Sequence, residues 1–116
     1  MGKRNRGAGR ISAATTDYRD ADGNVLTLRG SMSALTRRKY ATVLHDQHKS
    51  TDDSWQRAVE FLFERLVECW TIYDVPTESQ KELLQRFRIA SADERRWIRD
   101  VMREHLATTF PELEAP

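Results

Sequence analysis

The chain has 116 residues and a mass of 13.5 kDa, which suits one domain with a modest core, and its 39% hydrophobic content is that of a folded protein. No apolar run is long and uninterrupted enough to cross a bilayer. The formal charge of +1 is unevenly spread: Lys3, Arg4, Arg6 and Arg10 precede the first acid, Asp17, so removing these four bases with the first sixteen residues turns +1 into −3. The folded part is therefore not basic, and nucleic acid is disfavoured as a partner from bulk charge. Cys69 is alone, which excludes an internal disulfide and a cysteine-built metal site within one chain. The charged start has no apolar leader, and cytoplasmic conditions suit a single thiol.

Residues 1–14 offer almost nothing to a core and are expected to form a disordered basic arm. From Thr15 to Arg29 the chain has β character, with Asp22-Gly23 or Gly23-Asn24 as the turn of a hairpin. So small a hairpin cannot stand alone; it lies on helices or joins a sheet with another subunit. Ser33 is placed to cap a helix from about Ala34 to Gln47, with Leu35, Tyr40, Val43 and Leu44 inward and Arg37, Arg38 and Lys39 outward. Ser50 and Asp53 then open a central helix that carries Trp55, Val59, Leu62, Leu66 and Trp70 at helical spacing. Ala58, Phe63 and Cys69 widen this face while Phe61 and Val67 lie partly outside it, and so large an apolar circumference predicts contact on more than one side. This helix is expected to end near Ile72 or Tyr73, before Pro76. Thr77 with Gln80 predicts the cap of a third helix containing Leu83, Leu84 and Phe87. Ser91 with Glu94 predicts the cap of a fourth, whose stripe is Ile98, Val101, Met102 and Leu106 with Trp97 on its shoulder. Pro111 ends helical character, and residues 112–116 form a short acidic tail. The expected fold is mainly α: a four-helix domain over residues 15–111 with a short N-terminal β-hairpin.

No reaction centre emerges from these residues. Cys69 sits in an apolar helix by this reading, and no nucleophile elbow accompanies the three histidines. Arg6-Gly7-Ala8-Gly9-Arg10 lacks the strand and the terminal Lys-Ser/Thr of a phosphate loop. The Asp20-Ala21-Asp22-Gly23-Asn24 loop lacks the ligand spacing and distal Glu of a calcium loop. His45 and His48 stand three apart near Asp46, Asp52 and Asp53, but exposed loop histidines are the simpler reading. His105, near the end of the last helix, suits the helix dipole. The expectation is a non-enzymatic protein with no metal and no cofactor.

Taken in order, the segments Asp20 to Gly30, Trp55 to Pro76 and Phe110-Pro111 resemble the small tail assembly chaperones of long-tailed bacteriophages and prophages, over roughly residues 17–111. The basic arm is not part of the resemblance. It implies a protein of the host cytoplasm that binds the tape measure protein, keeps its helical surface soluble and aids assembly of tail tube subunits, and it implies the short rather than the frameshift-extended form. No family site residues carry over by position. On physical grounds Phe61, Phe63, Phe87, Trp97 and Met102 are the candidate protein-binding residues, and self-association is expected because repeated copies cover a long client better than one. The alternatives are a helical nucleic-acid-binding regulator, drawing on Arg37-Arg38-Lys39 and the arm, or a non-catalytic adaptor.

Overall fold

The structure, a computed structural model, describes residues 14–116. The basic arm, Ala14 excepted, lies outside the described residues. The expected hairpin is present: β1 (Thr15–Arg19) and β2 (Val25–Arg29) pair antiparallel, with Thr16 opposite Leu28 and Tyr18 opposite Leu26. Asp20 organises the turn. Its Oδ1 accepts from the backbone N–H of Asp22 at 2.8 Å and of Asn24 at 2.9 Å, while Gly23 takes a φ of 83° that side chains resist. The loop carboxylate that suggested calcium is thus committed to its own backbone. Strand alternation buries Leu26 and Leu28 and turns Thr27 the other way.

Two helices follow, α1 (Ala34–Leu44) and α2 (Thr51–Leu66), each opened by the expected serine. Ser33 Oγ accepts from Thr36 N–H and Ser50 Oγ from Asp53 N–H, both at 3.1 Å. α1 ends three residues short of Gln47, with His45 as its C-cap. Tyr40 and Leu44 are buried and Val43 half-buried, but Leu35, expected inward, is 53% exposed.

The main correction comes after Leu66. The central helix stops there, and Val67–Ile72 is a strand, β3, paired antiparallel with β2 and followed by β4 (Val75–Thr77). Trp70 therefore sits on the sheet and not on the face that carries Trp55. The fold is α+β, not mainly α: the described residues form a four-stranded antiparallel sheet in the order β1-β2-β3-β4 and four helices. The hairpin completes its sheet within this chain. A bulge explains why spacing misled: Thr27 pairs with Cys69 but Leu28 with Val67, so Glu68 is an extra residue in β3. That insertion shifts the alternation, leaving Val67 and Trp70 both buried at a spacing of three, which imitates a helical stripe. Cys69 consequently lies half-exposed on the outer face, its Sγ 3.6 Å from Thr71 Oγ1, and not inside a helix.

Tyr73 and Asp74 join β3 to β4 with φ of 49° and 68°, the sign pattern of a type I′ turn without its usual glycine. Asn24 Oδ1 accepts from Tyr73 N–H at 2.9 Å, which ties this turn to the first. Asp74→Gly should raise stability in urea unfolding by about 0.5–1 kcal/mol, because glycine carries no left-handed penalty. A loss instead would mean that the Asp74 side chain stabilises the turn by more than its backbone strain costs.

Two further helices cross the same face, α3 (Gln80–Arg88) and α4 (Ala92–Thr109). The α3 cap is Ser79, not Thr77, which belongs to β4; the Ser91–Glu94 capping box of α4 forms as expected. α2 lies at the centre of the helical layer, in contact with α1, α3, α4 and β3. Leu26, Leu28, Val67 and Trp70 from the sheet share one core with Leu62, Leu66, Leu83, Ile98 and Leu106 from the helices. The helices of the described residues all share the core on this one face of the sheet. Residues 112–116 fold back across α1 and α4: Tyr40 Oη–H donates to the Glu114 carbonyl at 2.6 Å, and an Arg103 guanidinium N–H donates to the Pro116 main-chain oxygen at 2.7 Å. Leu113 and Ala115 pack at the core edge. Among the described residues no helix is long and apolar enough to cross a membrane.

Candidate functional site

The structure divides the five candidate binding residues. Phe63, Phe87 and Met102 are buried, with the Phe63 and Phe87 rings 4.7 Å apart and Phe63 edge-on to Trp70 at 5.9 Å, so they clamp helices to sheet and present no surface. Trp97 is half-buried at the core edge of α4. Phe61 also reaches the surface. It stands two positions from Phe63, roughly 200° around α2, and so points toward α1 and not α3.

Phe61 and Val43 are the apolar lining of an open groove of about 690 Å³ between α1 and α2. The Phe61 ring lies 6.4 Å from Tyr40, and the Arg65 guanidinium stacks over it at 4.9 Å. Both signs of charge line the groove, with Lys49, Arg57 and Arg95 among Asp46, Asp53, Glu60 and Glu64. An apolar strip between mixed charges suits an amphipathic helix. The sequence pointed to Phe61 as lying outside the main stripe of α2 but placed Val43 in the core, and only the splay of the two helices brings them together.

The basic run of α1 is not presented as a unit. Arg37 donates from Nε to the Met32 carbonyl at 3.1 Å, pairs with Glu112 and lies 5.4 Å from the Phe110 ring centre. Other arginines are engaged in the same manner. Arg86 stacks on Trp70 at 4.9 Å and pairs with Glu94, whose carboxyl it holds below the usual carboxylate range by hydrogen bonding, and so joins β3, α3 and α4. Arg88 pairs with Glu60 and Arg99 stacks on Trp55. His45 Nε2 is 3.2 Å from Glu114 Oε1, and His48 N–H donates to Asp46 Oδ1 at 2.9 Å. Among the described residues no three His, Cys, Asp or Glu side chains cluster as metal ligands.

His105 departs from its expected role. It is 0% exposed and bonded on both nitrogens, with Tyr18 Oη 2.8 Å from Nδ1 and the Arg29 carbonyl oxygen 2.8 Å from Nε2. A carbonyl only accepts, so Nε2 carries the hydrogen and Nδ1 accepts from Tyr18. Burial lowers the imidazole pKa, opposed in part by the bond to Arg29, and the ring pins α4 to β1 and β2 as a neutral group. Burial likewise raises the Tyr18 phenol.

Comparison of the chain with family models, with curated proteins and with solved structures returns no match.

Proposed function

We propose that the protein is a tail assembly chaperone of a long-tailed phage or prophage, which holds a helical segment of the tape measure protein in the α1–α2 groove, in the host cytoplasm, and presents it to tail tube subunits. The observation that carries this reading is the Val43–Phe61 pair, an aromatic and a branched side chain that line a surface groove among charged residues of both signs. The chain order that resembles the chaperone family supports it independently. A client that exposes apolar helix is protected by apolar side chains so placed, and the charges that line the groove help fix its register. The nucleic-acid reading loses Arg37, which is committed to Met32, Glu112 and Phe110. An adaptor with a different helical partner uses the same groove.

Co-expression with the tape measure protein tests the assignment. Its soluble yield should rise, and the two should copurify at high salt because the contact is apolar. Phe61→Ala should weaken the complex by about 2 kcal/mol, roughly thirtyfold, while the circular dichroism spectrum stays unchanged. No gain in soluble client and no retained complex would remove the chaperone reading in favour of the adaptor.

A further inference from the structure

We propose that β1 is a homotypic docking edge: two copies pair their β1 strands antiparallel about a two-fold axis at Tyr18 and join their sheets into one. The two ends of the sheet are unlike. β4 is a three-residue edge that contains Pro76, which has no N–H to donate, and such an edge is protected. β1 has five residues, no proline and an unbroken register against β2.

Hydrogen-bond phase shows which groups β1 presents. The Ala14 carbonyl accepts from Gly30 N–H at 2.8 Å and Asp20 N–H donates to the Asn24 carbonyl at 3.0 Å, so the even-numbered residues bond to β2. The N–H and C=O groups of Thr15, Asp17 and Arg19 therefore point out of the sheet edge. An added antiparallel strand must bond to these three residues, which leaves few two-fold registers. Centred on Asp17, the pairing sets two carboxylates against each other. Centred on Tyr18, it sets Asp17 of each copy opposite Arg19 of the other, twice over. Charges on an edge strand usually deter pairing, but here their alternation opposes unlike signs in one register and like signs in the other. That register also brings the two half-buried Tyr18 side chains together on the helix-covered face.

Sedimentation analysis of the full chain across the micromolar range at low salt tests the proposal, with no client present, so the result stands apart from the chaperone reading. The wild-type chain should show a monomer–dimer equilibrium. Asp17→Arg and Arg19→Asp should each weaken it by about tenfold or more, since each puts like charges in opposition at two symmetric positions. The double exchange, Asp17→Arg with Arg19→Asp, should restore it. Asp17→Pro should abolish the dimer yet leave the β1–β2 ladder intact, because the N–H it removes points outward; unchanged circular dichroism checks that each variant is folded. A wild-type monomer at every concentration would overturn the proposal. So would a dimer indifferent to the single reversals, or one that the double exchange fails to restore.

Discussion

Leu62→Ala should cost about 2–5 kcal/mol in equilibrium unfolding, the range for truncating a fully buried leucine whose surroundings cannot collapse. Leu62 is 0% exposed, on the helix that touches α1, α3, α4 and β3, so several elements would have to move together to fill the cavity. Set against the roughly 5–15 kcal/mol that stabilises a typical domain, the loss is a large fraction of the whole. Leu35→Ala supplies the contrast, because Leu35 looks equally inward in a simple apolar count yet is exposed, and its truncation should stay within about 0.5 kcal/mol. The midpoint in denaturant should move for Leu62→Ala with little change in slope. A Leu62→Ala loss below about 0.5 kcal/mol would mean that α2 is not the centre of the core.

The contrast between these leucines shows what spacing carries and where it stops. At about 100° per residue, Leu35 lies nine positions and therefore half a turn from Leu44, whereas Tyr40 lies only about 40° from it, so the angular arithmetic already separates Leu35 from the buried face. Phe61 and Phe63, about 200° apart, could not have shared one groove for the same reason. Serine caps were legible because their hydrogen bonds reach only three residues; Ser33, Ser50 and Ser91 all act where expected, and α3 differs by choosing Ser79 over Thr77. The first hairpin was legible through Gly23. β3 was not, because its bulge at Glu68 is defined by pairing with β2, forty residues earlier, and pairing leaves no local trace. The groove was half legible. Phe61 was visible as an outlier on its helix, but the position of Val43 beside it depends on how α1 and α2 cross. The tail was least legible: the sequence marks it only as short and acidic and set apart from the domain, yet Tyr40, Arg37 and Arg103 hold residues 112–116 against the domain through main-chain oxygens and Glu112.

One groove and one sheet edge place the two proposed associations on separate elements. The groove lies between α1 and α2, while β1 ends the sheet beside β2 and contacts α4 through Tyr18 and His105. A copy paired through β1 therefore keeps its α1–α2 groove available. Repeated copies along one long client would then raise the effective concentration of each groove for the next segment. Asp17→Arg should in that case lower soluble client yield without changing the affinity of a single groove, whereas Phe61→Ala should lower both.

Stability should fall as pH drops below about 6.5, and His105 should be a principal cause. Above the ordinary histidine pKa both folded and unfolded chains hold the ring neutral, and its contribution is fully present. Because burial lowers the pKa in the folded state, the unfolded chain takes up a proton first as pH falls, and the equilibrium shifts toward unfolding until the native ring is itself protonated. The slope from one such group approaches about 1.4 kcal/mol per pH unit. Protonation also has a specific casualty: Nδ1 would become a donor facing the Tyr18 hydroxyl, and the bond pinning α4 to β1 would have to reorganise. His105→Leu separates this from general acid sensitivity. It leaves the Tyr18 hydroxyl and the Arg29 carbonyl without their partner and should cost about 2–3 kcal/mol at neutral pH, yet lose less on acidification than the wild-type chain. Urea unfolding of both chains at about pH 7.5 and about pH 5.5 makes the comparison, above the range where most carboxylates titrate. Parallel losses in the two chains would show that His105 is not the group that titrates.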